Sequence, residues 1–220
     1  SVTSVGREAF QGCPIDTFRI SDSQTPLSIS AYSTIRGKTF YLGRNLTFTE
    51  GTSIFSDVQT LVVGDNVTKL NENMFKYCKQ LDSVTLGSNL AEVGKQCFYG
   101  CLALTAIDIP ASLDTISESM FEGCTKLISV TLHEGLSTVG KDAFYNCHLT
   151  SVTLPASVTS VGREAFQGCP IDTFHISDSQ TPLSISAYST LPGKTFYIGR
   201  NLTFTEGTSM FGNVESLTLG

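Results

Sequence analysis

The chain has 220 residues, 40% of them hydrophobic, enough to bury a large interior. Its formal net charge is −6, and the 14 Lys and Arg are scattered rather than clustered, which argues against nucleic acid or an anionic membrane surface as a partner. No apolar run approaches the roughly 18 residues that a membrane-spanning helix needs, so membrane insertion is not expected.

Read from the N-terminus, short alternating segments begin at Thr17, Thr39, Thr60, Ser83, Ala106, Ser129, Ser151, Thr173, Thr195 and Ser216, in steps of 21 to 23 residues. A fixed period of this length marks one coil of a solenoid, because a single copy is too short to bury its own apolar face. The early coils, over residues 15–58, lack the second half of the regular pattern but keep the period. There Asp22-Ser23-Gln24-Thr25-Pro26 lengthens the turn, and Leu27-Ser28-Ile29-Ser30 alternates like a strand of a second sheet. From Leu81 the pattern is regular, and each coil ends in a Phe followed three residues later by a Cys, as in Phe98/Cys101, Phe121/Cys124, Phe144/Cys147 and Phe166/Cys169. The remodelled coil returns over 178–186. About ten stacked coils are expected, with strands pairing in parallel at roughly 4.8 Å per coil.

Within a coil such as Ser129-Val130-Thr131-Leu132, alternation sends Val130 and Leu132 inward and Ser129 and Thr131 outward. A turn follows, then a second inward pair (Leu113 and Ile116 in one coil). A segment ending in Phe is expected as a single helical turn, stopped by Gly12, Gly100, Gly123, Asn146 or Gly168 in the left-handed position. The Phe column (Phe10, Phe75, Phe98, Phe121, Phe144, Phe166) should fill the middle of the core. The six Cys that follow these Phe, with Cys97 in a small inward slot, read as buried thiols hydrogen-bonding turn carbonyls; a disulfide framework is the competing reading. The expected sets of metal ligands, disulfides and cofactors are empty.

Residues 1–64 and 157–220 are identical at 53 of 64 positions, an offset of 156. The expected organisation is therefore one solenoid over 1–220, with 1–156 as a long repeat unit and 157–220 as the start of a second copy. Both ends read as cut rather than capped, so a longer array is expected.

No catalytic constellation is present in the sequence. The three His are dispersed, Gly-x-Ser-x-Gly and His-Glu-x-x-His are lacking, and Glu118, Glu122, Glu134, Asp142 and Glu164 fall one or two per coil on turns. The chain is read as a non-enzyme. The best place for function is the outward face of the strand ribbon, since repeat proteins present extended binding surfaces. One outward column is nearly all Ser or Thr. The other is varied, and the candidate ligand contacts are Arg19, Tyr41, Asp108, Thr131, Thr153, His175 and Tyr197. Against this stands the plainer possibility that Ser and Thr suit an exposed strand and Tyr covers its neighbours.

The run Leu149-Thr150-Ser151-Val152-Thr153-Leu154-Pro155-Ala156-Ser157-Val158, continuing to Ala165-Phe166-Gln167-Gly168-Cys169, resembles the BspA-like leucine-rich repeats. Phe40-Tyr41-Leu42-Gly43-Arg44-Asn45-Leu46 and its copy at Phe196 resemble a variant coil of the same bacterial proteins. The resemblance covers essentially the whole chain. It implies a leucine-rich-repeat solenoid, mostly β with short helical turns, wound as a right-handed coil with one long parallel sheet and short second-sheet strands. It also implies an extracellular or cell-surface location and adhesion to a protein partner, a host matrix or cell-surface protein. A structural spacer within a larger surface protein is the alternative.

Overall fold

A computed structural model of the protein describes residues 2–30, 35–48, 55, 57–187, 189–204, 211–212 and 214–220. The first coils carry β1 (Ser4–Val5), β2 (Thr17–Ile20), β3 (Leu27–Ile29), β4 (Thr39–Leu42), β5 (Leu46–Phe48) and β6 (Thr60–Val63). The regular coils carry β7 (Lys69–Leu70), β8 (Ser83–Thr85), β9 (Glu92–Val93), β10 (Ala106–Asp108), β11 (Thr115–Ile116), β12 (Ser129–Thr131), β13 (Thr138–Val139), β14 (Ser151–Leu154) and β15 (Ser160–Val161). The last coils carry β16 (Thr173–Ile176), β17 (Leu183–Ile185), β18 (Thr195–Ile198), β19 (Leu202–Phe204) and β20 (Ser216–Leu219).

Even-numbered strands succeed one another as one ribbon, hydrogen-bonded in the groups β2–β8, β10–β12 and β14–β20, and odd-numbered strands as a second, in the groups β1–β5, β7–β9 and β11–β19; every pairing is parallel. The ten even strands start where the sequence pattern places them and bound nine complete turns. Their alternation is the cause of the layering: in β14, Val152 and Leu154 are buried while Ser151 and Thr153 face solvent. The hydrophobic interior runs unbroken from coil to coil.

At its centre lies a ladder of rings. Phe75, Phe98, Phe121, Phe144 and Phe166 stack at centroid spacings of 5.4–5.6 Å with interplanar angles of 3–9°, within the favourable range for offset rings. In the remodelled coils the ring comes from the strand instead. Phe18 stacks on Phe40, and Phe174 on Phe196. The two kinds of coil meet at edge-to-face contacts, Phe10 with Phe18 at 82° and Phe166 with Phe174 at 85°. The core volume per coil is thus kept while its source moves around the coil.

The segment before each Phe is not the expected helical turn, and no helix occurs among the described residues. Two left-handed residues break it. One lies two positions before the Phe (Asn73, Gln96, Ser119, Asp142, Glu164; φ 53–59°), the other two positions after it (Tyr77, Gly100, Gly123, Asn146, Gly168; φ 56–79°). Backbone N–H groups then alternate in direction. Phe98 N–H bonds to Met120 O of the next coil at 3.0 Å, and Cys101 N–H bonds to Phe98 O in its own coil at 3.3 Å. A helix would spend all its N–H groups on itself, whereas this turn also binds the neighbouring coil.

Six of the seven cysteines are buried and Cys13 is exposed. The thiols of Cys78, Cys101, Cys124, Cys147 and Cys169 donate to the carbonyls of Phe55, Phe75, Phe98, Phe121 and Phe144, one coil back, at 2.7–3.3 Å.

Candidate binding face

Parallel register converts sequence period into spatial columns. Arg19 lies beside Tyr41, then Val62 and Thr85; Asp108 beside Thr131; Thr153 beside His175, then Tyr197 and Thr218. All seven candidate contacts therefore fall on the second outward column. They do not converge on one point. From β2 to β16 there are seven strand steps, about 34 Å at roughly 4.8 Å each.

Two clusters on this column are copies of one design. The Arg19 guanidinium sits 3.7 Å over the Tyr41 ring, a cation–π contact. Arg19 Nη2 lies 3.3 Å from Asp22 Oδ2, and the Tyr41 hydroxyl donates to Asp22 Oδ1 at 2.7 Å. That hydroxyl, helped by the Arg19 charge, holds the Asp22 carboxyl below its ordinary range, and the carboxylate in turn raises the Tyr41 phenol. Gly64 makes the contact possible, since a Cβ there would come within 2.7 Å of the Tyr41 hydroxyl. In the second copy the His175 ring lies 4.5 Å from Tyr197 at 6°, and the Tyr197 hydroxyl donates to Asp178 Oδ1 at 2.7 Å. Between the copies, Asp108 Oδ1 lies 2.6 Å from His133 Nε2.

Asp22, Asp178 and His133 were not singled out as contacts by the sequence reading. The Asp residues belong to the long turn Asp22-Ser23-Gln24-Thr25-Pro26 and its identical copy, and that strict duplication was the available signal. Arg44 and Arg200 are both buried. Arg200 donates to Pro155, Ala156, Val158 and Ser177 carbonyls at 2.6–3.1 Å. Burial lowers its pKa while the nearby Glu134 carboxylate opposes that shift. Arg44 donates to Val2 and Ser21 carbonyls, each at 3.1 Å. Period-2 alternation through Leu42, Arg44 and Leu46 would have pointed both inward.

The turn carboxylates stay dispersed and are used locally. Glu118 pairs with Lys95 and Lys141, Glu164 with Arg163, and Glu134 accepts the Ala156 and Ser157 N–H groups. Burial pushes the Cys78 and Cys169 thiols up to about 12, so they stay protonated and are poor nucleophiles at neutral pH. No helix among the described residues is long and apolar enough to cross a membrane.

The two ribbons, the short return path and the period of 21–23 residues define a leucine-rich-repeat solenoid. The chain belongs to the BspA type leucine rich repeat family, whose model matches residues 1–61 and 51–172 in six copies. Among solved structures it is similar to a leucine rich cell surface protein of Faecalibacterium prausnitzii A2-165, at 15% identity and TM-score 0.54, over 98% of this chain and 64% of that one. It is also similar to a leucine-rich repeat protein of Bacteroides ovatus ATCC 8483, at 18% identity and TM-score 0.53, over 96% of this chain and 67% of that one. At those identities the likeness establishes the fold. No curated protein matches.

Proposed function

We propose that this chain is a non-enzymatic, cell-surface or secreted recognition module that binds a protein partner, a host matrix or cell-surface protein, through the outward face of the even-strand ribbon. The observation that supports this reading is the outward column on which Arg19 with Tyr41, Asp108 with Thr131, and Thr153 with His175 and Tyr197 lie in register. Leucine-rich-repeat solenoids generally mediate protein–protein contacts on such extended surfaces. The similar Faecalibacterium protein is a cell surface protein, which supports the location. The test is capture of host and bacterial surface proteins by the chain, repeated with Thr131→Arg and Thr153→Arg. Both positions are exposed, so the variants should fold and lose the captured partner. Undiminished capture would exclude this face.

A structural spacer is the second reading. It is favoured by the 156-residue duplication at 53 of 64 positions, which lengthens the solenoid without new chemistry. Removal of one whole unit with partner capture intact would support it.

A further inference from the structure

We infer that the even-strand ribbon carries a specific contact point at β8 and β10, a hollow that receives a basic side chain, lysine or arginine, of a protein partner. This inference rests on the strand-face reading and gives that face its first defined chemistry.

The ribbon is not evenly knitted. At the start of six of the even strands, a backbone N–H bonds to the carbonyl one coil back: Thr39 to Asp16, Thr60 to Lys38, Ser83 to Gln59, Ile128 to Thr105, Thr195 to Asp172 and Ser216 to Lys194, at 2.9–3.2 Å. The rung from Ala106 to Asp82 is missing; no backbone hydrogen bond joins β8 to β10 among the described residues, and the same is true of β12 and β14, where only a long 3.5 Å rung from Thr150 to Ile128 remains. Where the Ala106 rung is missing an open hollow of about 370 Å³ lies, lined by Asp82, Ser83, Ala106, Asp108, Ser129 and Thr131 among others. Two of these are carboxylates, and no cationic side chain belongs to the lining.

A second, independent observation says what such a place holds. Asp82 occupies the position just before an even strand, as do Asp16 and Asp172. In both of those coils the next coil supplies a lysine that caps the carboxylate, Lys38 Nζ at 3.3 Å from Asp16 and Lys194 Nζ at 2.8 Å from Asp172. After Asp82 the corresponding residue is Thr105. An Asp therefore stands at this position three times, and the next coil supplies its lysine twice. At Asp82 the neighbouring strand β10 pairs with β12 but not with β8, and Asp108 adds a second carboxylate with one oxygen beyond the His133 contact. Basic groups fit because charge-assisted hydrogen bonds to carboxylate are the strong ones, and serine and threonine hydroxyls accept the remaining donors.

The test uses the whole chain, ¹⁵N-labelled, titrated with N-acetyl-arginine amide, N-acetyl-lysine amide and, as the neutral isostere, N-acetyl-citrulline amide. Saturable shifts of the Ala106 and Asp108 amides are expected with the cationic probes and not with citrulline. Asp82→Asn and Asp108→Asn should each weaken binding at least fivefold. Thr105→Lys, which installs the internal lysine of the homologous coils, should abolish it without lowering the melting temperature. Equal shifts with citrulline, still amides at 106 and 108, or wild-type binding by Thr105→Lys would overturn the inference. Partner capture lost in Thr153→Arg but kept in Thr105→Lys would also overturn it and leave the strand-face reading standing.

Discussion

The regular coils and the duplicated remodelled coils solve one packing problem with different parts. In the regular coils the central ring comes from the turn, as with Phe98 and Phe121, and a buried thiol closes the turn onto the previous coil. In the remodelled coils the ring comes from the strand, as with Phe40 and Phe196, and a buried arginine gathers the carbonyls of the return path. What both share is the strand period and the volume of one ring per coil. The spine is the constraint, and the route by which the chain closes each coil is free.

If that is right, removing a ring should be equally costly in either region. Phe121→Ala and Phe174→Ala should each destabilise by about 3–5 kcal/mol, the usual range for a buried Phe, as read from urea unfolding midpoints. A much smaller loss at Phe174 would break the equivalence. A buried arginine comes next. Arg200→Met removes four donated hydrogen bonds and should cost about 2–4 kcal/mol. A loss far below that would mean that the guanidinium contributes packing rather than hydrogen bonds.

The thiols predict a pH effect with a definite sign. Cys78 and Cys169 have folded pKa values near 12 because burial disfavours the thiolate, whereas an unfolded thiol titrates at about 8.5. Their contribution is complete below about pH 8.5 and is lost as pH rises towards about 12, since only the unfolded chain ionises readily in that window. The melting temperature should fall across this range, and less steeply in Cys169→Ala. The smallest effect lies on the exposed face. Tyr41→Phe removes the hydrogen bond that lowers the Asp22 pKa and should return it towards the ordinary carboxylate value in an NMR titration, with little change in stability because the pair is exposed.

Much of this architecture was legible in the sequence because period-2 alternation and a fixed coil length are direct images of a stacked parallel ribbon. All ten even strands begin at the expected residues. The return path was harder to read. A short apolar segment ending in Phe-x-Gly-Cys looks like a capped helical turn, and only the left-handed φ at Gln96 or Ser119, residues with no marked left-handed preference, converts it into an inter-coil hydrogen-bonding turn. The outward column was equally legible, since register alone put Arg19 beside Tyr41. Its polar partners were not, because Asp22, Asp178 and His133 reach it from turns whose course alternation does not specify. The gap between β8 and β10 leaves no trace in spacing, which is 23 residues there as in the next coil.

The claim that recognition uses the even-strand ribbon is tested most directly by hydrogen–deuterium exchange on the chain with and without its captured partner. The account predicts slowed exchange concentrated in the peptides carrying the even strands β2 to β18, with the turns at Phe98, Phe121 and Phe144 unchanged. Protection confined to those turns, with the even strands exchanging as in the free chain, would contradict it.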